Sequence, residues 1–216
     1  MLVKVCGVTT PADAAAAASA GADWIGLNFH PGSPRRVDEP TAARILAALP
    51  AGVEPVGLFV DRPAAEVAAV AGRLGLRVVQ LHGSEPVADL VALAHLQVVR
   101  AFRLGNLDDV ARMSSYLARA AELGHRPHAV LVDAFVAGVA GGTGVSIAAP
   151  LLDAIPAHPR LILAGGLTPA NVADRVALVR PWMVDVASGV EPAGSPGRKD
   201  PDLVAAFIRA ARASSR

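Results

Sequence analysis

Cysteine is nearly absent: Cys6 is the single thiol in 216 residues. No intramolecular disulfide can form, which fits a reducing compartment and makes a cytoplasmic location the expectation. Aromatic residues make up 4% and charged residues 18%, and the charges nearly cancel to a net +1. No broad basic face and no Lys/Arg-dense run follow from that balance, so nucleic acid is not an expected partner. The start, MLVKVCGV, lacks the long apolar core and small-residue cleavage site of a signal peptide. One uncharged stretch, residues 134–152, has the length of a membrane span. Gly138, Gly141, Gly142 and Gly144 interrupt it and Pro150 lies near its end. It reads as a loop and a helix start, and no membrane partner is expected. No HExxH motif or His/Asp cluster implies a metal. No glycine-rich segment matches a Walker loop or a dinucleotide fingerprint in its strand–helix context, and no cofactor is expected.

What the chain has is apolar residues, 53% of the total, in a regular arrangement. Eight short β-branched runs alternate with alanine-rich stretches: LVKVC, WIGLNF, EPVGLFV, RVVQLH, VVRAFRL, AVLVDA, RLILAG and WMVDVA. Helix starts follow Thr10-Pro11, Asp38, Asp61-Arg62-Pro63, Ser84-Glu85-Pro86, Asn106, Ser146, Thr168-Pro169 and Asp200-Pro201. Proline recurs at these starts because the first helical turn does not need its N–H. Eight strand–helix units in this length describe a single α/β domain over residues 1–216, a lean (β/α)8 TIM barrel. The other arrangement of the same elements is an open doubly wound sheet.

In a barrel, chemistry collects at the C-terminal strand ends and the loops after them. The polar strand-end residues are Cys6, Asn28 with His30, Asp61, His82, Arg103, Asp133, Gly165-Gly166 and Ser188. Alternation puts Leu2, Lys4 and Cys6 on one face of the first strand. If Cys6 faces the barrel mouth, Lys4 lies inside, and a buried ammonium needs a counter-charge. Asp185, on the strand that closes against the first, is the expected partner. Taken by itself Cys6 reads as a small buried hydrophobe or as a reactive thiol. Asp133 is a loop cap or, opposite Cys6, one half of an acid/base pair. The loops AGVAGGTGVS, LAGGLTPANV and DVASGVE can offer backbone amides to a phosphate. Arg35 and Arg36 after strand two can bind a carboxylate, or simply lie at the surface. His82 shares a face with Gln80 and would orient polar groups.

Together the segments KVCGVT, GADWIGLNFHPGSPRRV, PVGLFV, VVQLHG, LVDA with GGTG, LAGGLTPANV and VRPWMVDVASGVE...GRKDP resemble the phosphoribosylanthranilate isomerase family of tryptophan biosynthesis. They run in family order over nearly the whole chain. The resemblance implies an Amadori rearrangement of an aminoaldose, N-(5-phosphoribosyl)anthranilate, to an aminoketose. It implies Asp133 as the general acid that opens the furanose ring and Cys6 as the general base at C2. It places Arg35 on the anthranilate carboxylate, His82 at the substrate, and the phosphate on Gly142, Thr143, Gly144, Gly165, Gly166, Ser188 and Gly189. The partner is thus a small phosphorylated substrate, and metal, nucleotide and flavin are not required. Lys4 and the substrate iminium are the charges expected to lower the Cys6 pKa. Three positions depart from the family pattern: VSIAAPLLD replaces an aromatic–Asp–Trp segment, Phe135 replaces a basic residue, and His30 replaces a tyrosine. The alternatives are a paralogous aminoaldose-phosphate isomerase of another pathway and a sugar-phosphate-binding barrel without catalysis. Composition does not choose between a monomer and a homodimer.

Overall fold

The computed structural model of the chain describes residues 1–134 and 147–213. The strands are β1 (Leu2–Cys6), β2 (Trp24–Asn28), β3 (Glu54–Phe59), β4 (Val78–Leu81), β5 (Gln97–Leu104), β6 (Ala129–Ala134), β7 (Leu161–Leu163) and β8 (Met183–Val186). The helices are α1 (Pro11–Ser19), α2 (Glu39–Ala47), α3 (Ala64–Leu74), α4 (Ala88–Ala92), α5 (Leu107–Glu122), α6 (Ala149–Asp153), α7 (Val172–Val179) and α8 (Pro201–Ala213). Each strand pairs in parallel with the next, and β8 pairs with β1, so the sheet is a closed barrel. The open-sheet alternative is thereby excluded.

The helix starts follow from local chemistry. Thr10 accepts a hydrogen bond from the Asp13 amide, Asp38 from Thr41, and Asn106 from Asp109 in a reciprocal capping box. Asp200 accepts the Asp202 and Leu203 amides ahead of α8. The start expected after Ser146 lies three residues further on, at Ala149.

Alternation along each strand sorts the side chains into two sets. Val3, Val5, Ile25, Leu27, Val79, Val130, Val132 and Val184 point outward, into the layer between barrel and helices. Trp24, Val56, Val78, Val99, Leu131, Ile162 and Met183 fill the barrel interior as a second apolar cluster. That packed interior is a floor. Above it, the inward positions turn polar: Lys4 and Cys6, Gln80, Arg103, Asp133 and Asp185. No helix among the described residues is long and apolar enough to cross a membrane.

Candidate active site

The polar inward positions open into one cavity at the C-terminal ends of the strands. Cys6 and Asp133 line it together with Arg35, His82, Gly165, Gly166, Ser188 and Gly189. Every described residue that the resemblance places at the site therefore lines this one cavity, whereas Arg36 does not. Gly142, Thr143 and Gly144 lie outside the described residues, as does Phe135. Asp61 does not line this cavity. Its carboxylate turns sideways to accept the Ser84 amide at 2.6 Å.

Beneath the cavity, Lys4 Nζ donates to Asp185 Oδ2 at 3.0 Å, across the β1–β8 seam where the two residues are in register. Lys4 is fully buried, so this pairing is what makes its charge tolerable inside a barrel. Asp185 Oδ1 is buried with no hydrogen-bond partner among the described residues, and Asp185 lines the cavity.

The pair changes the expectation for Cys6. Burial pushes the thiol up, Lys4 pulls it down, Asp185 pushes it up again, and Lys199 pulls it down; the sum lies above the ordinary thiol value of 9.0. Lys4 does not leave a thiolate at rest, because burial outweighs it and Asp185, which shares its charge, adds to the upward push. For Lys4 itself, burial pulls the ammonium down, while Asp185 and Cys6 raise it, and the sum is upward.

The thiol has room because β2 carries glycine beside it. A Cβ on Gly26 would lie 2.7 Å from Cys6 Sγ. Gly165 serves Asp133 in a similar way. It sits at φ 85°, and a Cβ there would lie 2.5 Å from the Ala134 amide nitrogen and 2.8 Å from Asp133 Oδ1. On the other side of Asp133, His82 Nε2 stands 3.7 Å from Oδ2, and Gln80 Nε2 is 2.7 Å from His82 Nδ1. When the Gln80 amide donates, the ring proton sits on Nε2 and faces the carboxylate.

Arg35, in the loop after β2, makes a fork-to-fork pair with Glu191: Nε donates at 2.8 Å and Nη2 at 2.7 Å. Lys199 Nζ donates to Glu191 Oε1 at 2.7 Å and to the Ala187 carbonyl at 3.0 Å. Ser188–Val190 then forms a single 3-10 turn. A cationic patch and two loops of small residues thus flank a thiol and a carboxyl group.

A sequence model described as N-(5'phosphoribosyl)anthranilate (PRA) isomerase matches residues 3–210. The chain belongs to the phosphoribosylanthranilate isomerase family. It is 43% identical over 215 residues to the N-(5'-phosphoribosyl)anthranilate isomerase of Chlorobaculum parvum, covering 97% of this chain and 94% of that protein. With the Geobacter sulfurreducens isomerase it shares 43% over 210 residues, 97% of this chain and 98% of that protein. A crystal structure of the Thermotoga maritima isomerase superposes with a TM-score of 0.84 at 34% identity, covering 99% of this chain and all of that one. A second isomerase structure, in complex with reduced 1-(o-carboxyphenylamino)-1-deoxyribulose 5-phosphate, gives 0.81 at 35% identity, over 99% of this chain and 100% of that one.

Within this isomerase family site, the sequence reading missed Glu191, Lys199 and Gly26. Glu191 and Lys199 stand in the quoted segment VASGVE...GRKDP, where an acid placed between the small residues after β8 and the charged run Arg198-Lys199-Asp200 was the available signal. Gly26 gave only the weaker signal of a glycine inside a strand.

Proposed function

We infer that the chain catalyses the Amadori rearrangement of N-(5'-phosphoribosyl)anthranilate to the corresponding carboxyphenylamino-deoxyribulose 5-phosphate. The observation that carries this reading is the convergence of Cys6 and Asp133 on one cavity, with Arg35 on one flank and the Gly165-Gly166 and Ser188-Gly189 loops on another. A substrate with a carboxylate at one end and a phosphate at the other would span such a cavity.

In this mechanism Asp133 gives its proton to the furanose ring oxygen. The C1–O bond breaks, the nitrogen lone pair forms the C=N bond, and the open chain is an iminium. Cys6, as thiolate, then takes the proton from C2, whose bonding electrons flow toward the cationic nitrogen and give an enolamine. Tautomerisation of the enol to a ketone completes the aminoketose. The substrate carries its own electron sink, so the acid and the base need only be placed well. Because burial favours the protonated thiol at rest, Cys6 must first give its proton to water in the open cavity, and the positive charge of the iminium is what favours the thiolate at that point. His82 orients Asp133, and Asp185 Oδ1 is an acceptor for a substrate hydroxyl.

The test is the decay of phosphoribosylanthranilate fluorescence. The protein should accelerate it, and Cys6→Ala and Asp133→Asn should each lower kcat by roughly 10²–10⁴. Decay at the spontaneous rate with the unaltered protein would instead support a sugar-phosphate-binding barrel. Turnover of a different aminoaldose phosphate, and none of this one, would support the paralogue.

A further inference from the structure

We propose that Glu191 is a positioning residue: it fixes Arg35 in the orientation that receives the substrate carboxylate and ties that arginine to the loop after β8. The proposal rests on the isomerase reading above and concerns a residue in the same site.

Arg35 is held at both ends. Its stem lies over Gly7, where a Cβ would come within 2.5 Å of Arg35 Cδ, next in sequence to Cys6. Its guanidinium gives Nε and Nη2 to the two oxygens of Glu191. The pair is 13% and 4% exposed, so water does little to loosen it. The Nη1 edge makes no hydrogen bond among the described residues, and Arg35 lines the cavity. One planar edge is thus spent on orientation, and the opposite edge is left for a ligand.

Glu191 is itself immobilised. Its Oε1 also accepts from Lys199 Nζ at 2.7 Å and from the Gly197 amide at 3.0 Å. Burial alone would raise its pKa; the hydrogen bonds and charges of Arg35 and Lys199 hold it below the ordinary range, so it stays ionised. Lys199 in turn grips the Ala187 carbonyl, one residue before Ser188. The charges of Arg35, Lys199 and Glu191 sum to one net positive, which suits a monoanionic carboxylate. A free arginine would have to lose its rotamer freedom on binding; this one has lost it already.

Steady-state kinetics of Glu191→Asp tests the proposal. Aspartate keeps the negative charge beside Lys199 but is one methylene too short to serve both cations. KM for phosphoribosylanthranilate should rise roughly ten- to hundredfold, with kcat held within about threefold of wild type. In an Arg35→Met background the same substitution should leave KM unmoved, since there is no guanidinium left to position. If Glu191→Asp does not fold, Glu191→Gln, which turns one of the two acceptor oxygens into a donor and removes the charge, carries the same KM test. Wild-type turnover with an unchanged KM in the variant overturns this inference. So does an equal KM penalty in the presence and absence of Arg35, which would mark a purely structural role. Absence of wild-type turnover overturns the isomerase reading beneath it.

Discussion

Cys6 shows how far a neighbouring cation falls short when its charge is already claimed. Burial is the largest influence on the thiol and raises it above 9.0. A raised pKa keeps the neutral form dominant through neutral pH, and thiolate appears only on the alkaline side. The free protein should therefore react slowly with iodoacetamide at pH 7 and faster above pH 9. Alkylation at pH 7 as fast as that of an exposed thiol would contradict this. Gly26→Ala should displace Sγ and lower kcat by roughly 10²-fold, an effect of misplacement, with secondary structure by circular dichroism unchanged. Of these features, the inward-facing pair of Lys4 and Cys6 was legible in strand alternation. The direction of the thiol shift was not, because burial and Asp185 push it up against Lys4 and Lys199, and strand alternation does not weigh them. Nor was the Arg35–Glu191 contact, whose partners lie 156 residues apart in loops that carry no periodicity.

At the level of elements, the loops after β3 and β4 contrast with those after β7 and β8. Glu85, after β4, accepts the Asp61 amide at 2.9 Å and the Gly83 amide at 3.0 and 2.9 Å. Asp61 accepts the Ser84 amide. Amides that could have gripped an anion are spent on the chain's own carboxylates, and no second phosphate seat is expected there. Equilibrium dialysis with inorganic phosphate should saturate at about one ion per chain; two would favour a bisphosphate substrate. Glu85 in turn neutralises the buried Arg100 at 3.2 Å, with side chains 2% and 6% exposed. Arg100→Met strands that carboxylate and should cost about 3–5 kcal/mol in urea unfolding. The helix starts at Thr10, Asp38 and Asn106 were readable as caps because capping is chemistry within four residues. The Glu85–Arg100 crosslink joins the loop after β4 to β5 and has no such local signature.

For the molecule as a whole, closure of the sheet is the decisive event, and the Lys4–Asp185 pair sits on the closing seam. Lys4→Met leaves Asp185 buried without its cation and should lower stability by about 3–5 kcal/mol, whereas Lys4→Met with Asp185→Leu should recover most of it. The pKa of Lys4 is raised in the fold. Its stabilising contribution is therefore complete below the ordinary 10.5 and fades as pH climbs through the higher folded value, so the Lys4→Met deficit should narrow only in strong alkali. The eightfold rhythm of the barrel and this one pair were visible in the sequence because both follow from alternation and strand order. Glu191, finally, belongs to two anchor points at once: through Arg35 it reaches the loop after β2, and through Lys199 the loop after β8. Anthranilate and inorganic phosphate, offered as separate fragments, should then help each other bind. Calorimetric titration of one in the presence of the other should show a several-fold gain in affinity, equal in both directions as linkage demands, and that mutual aid should vanish in Glu191→Asp.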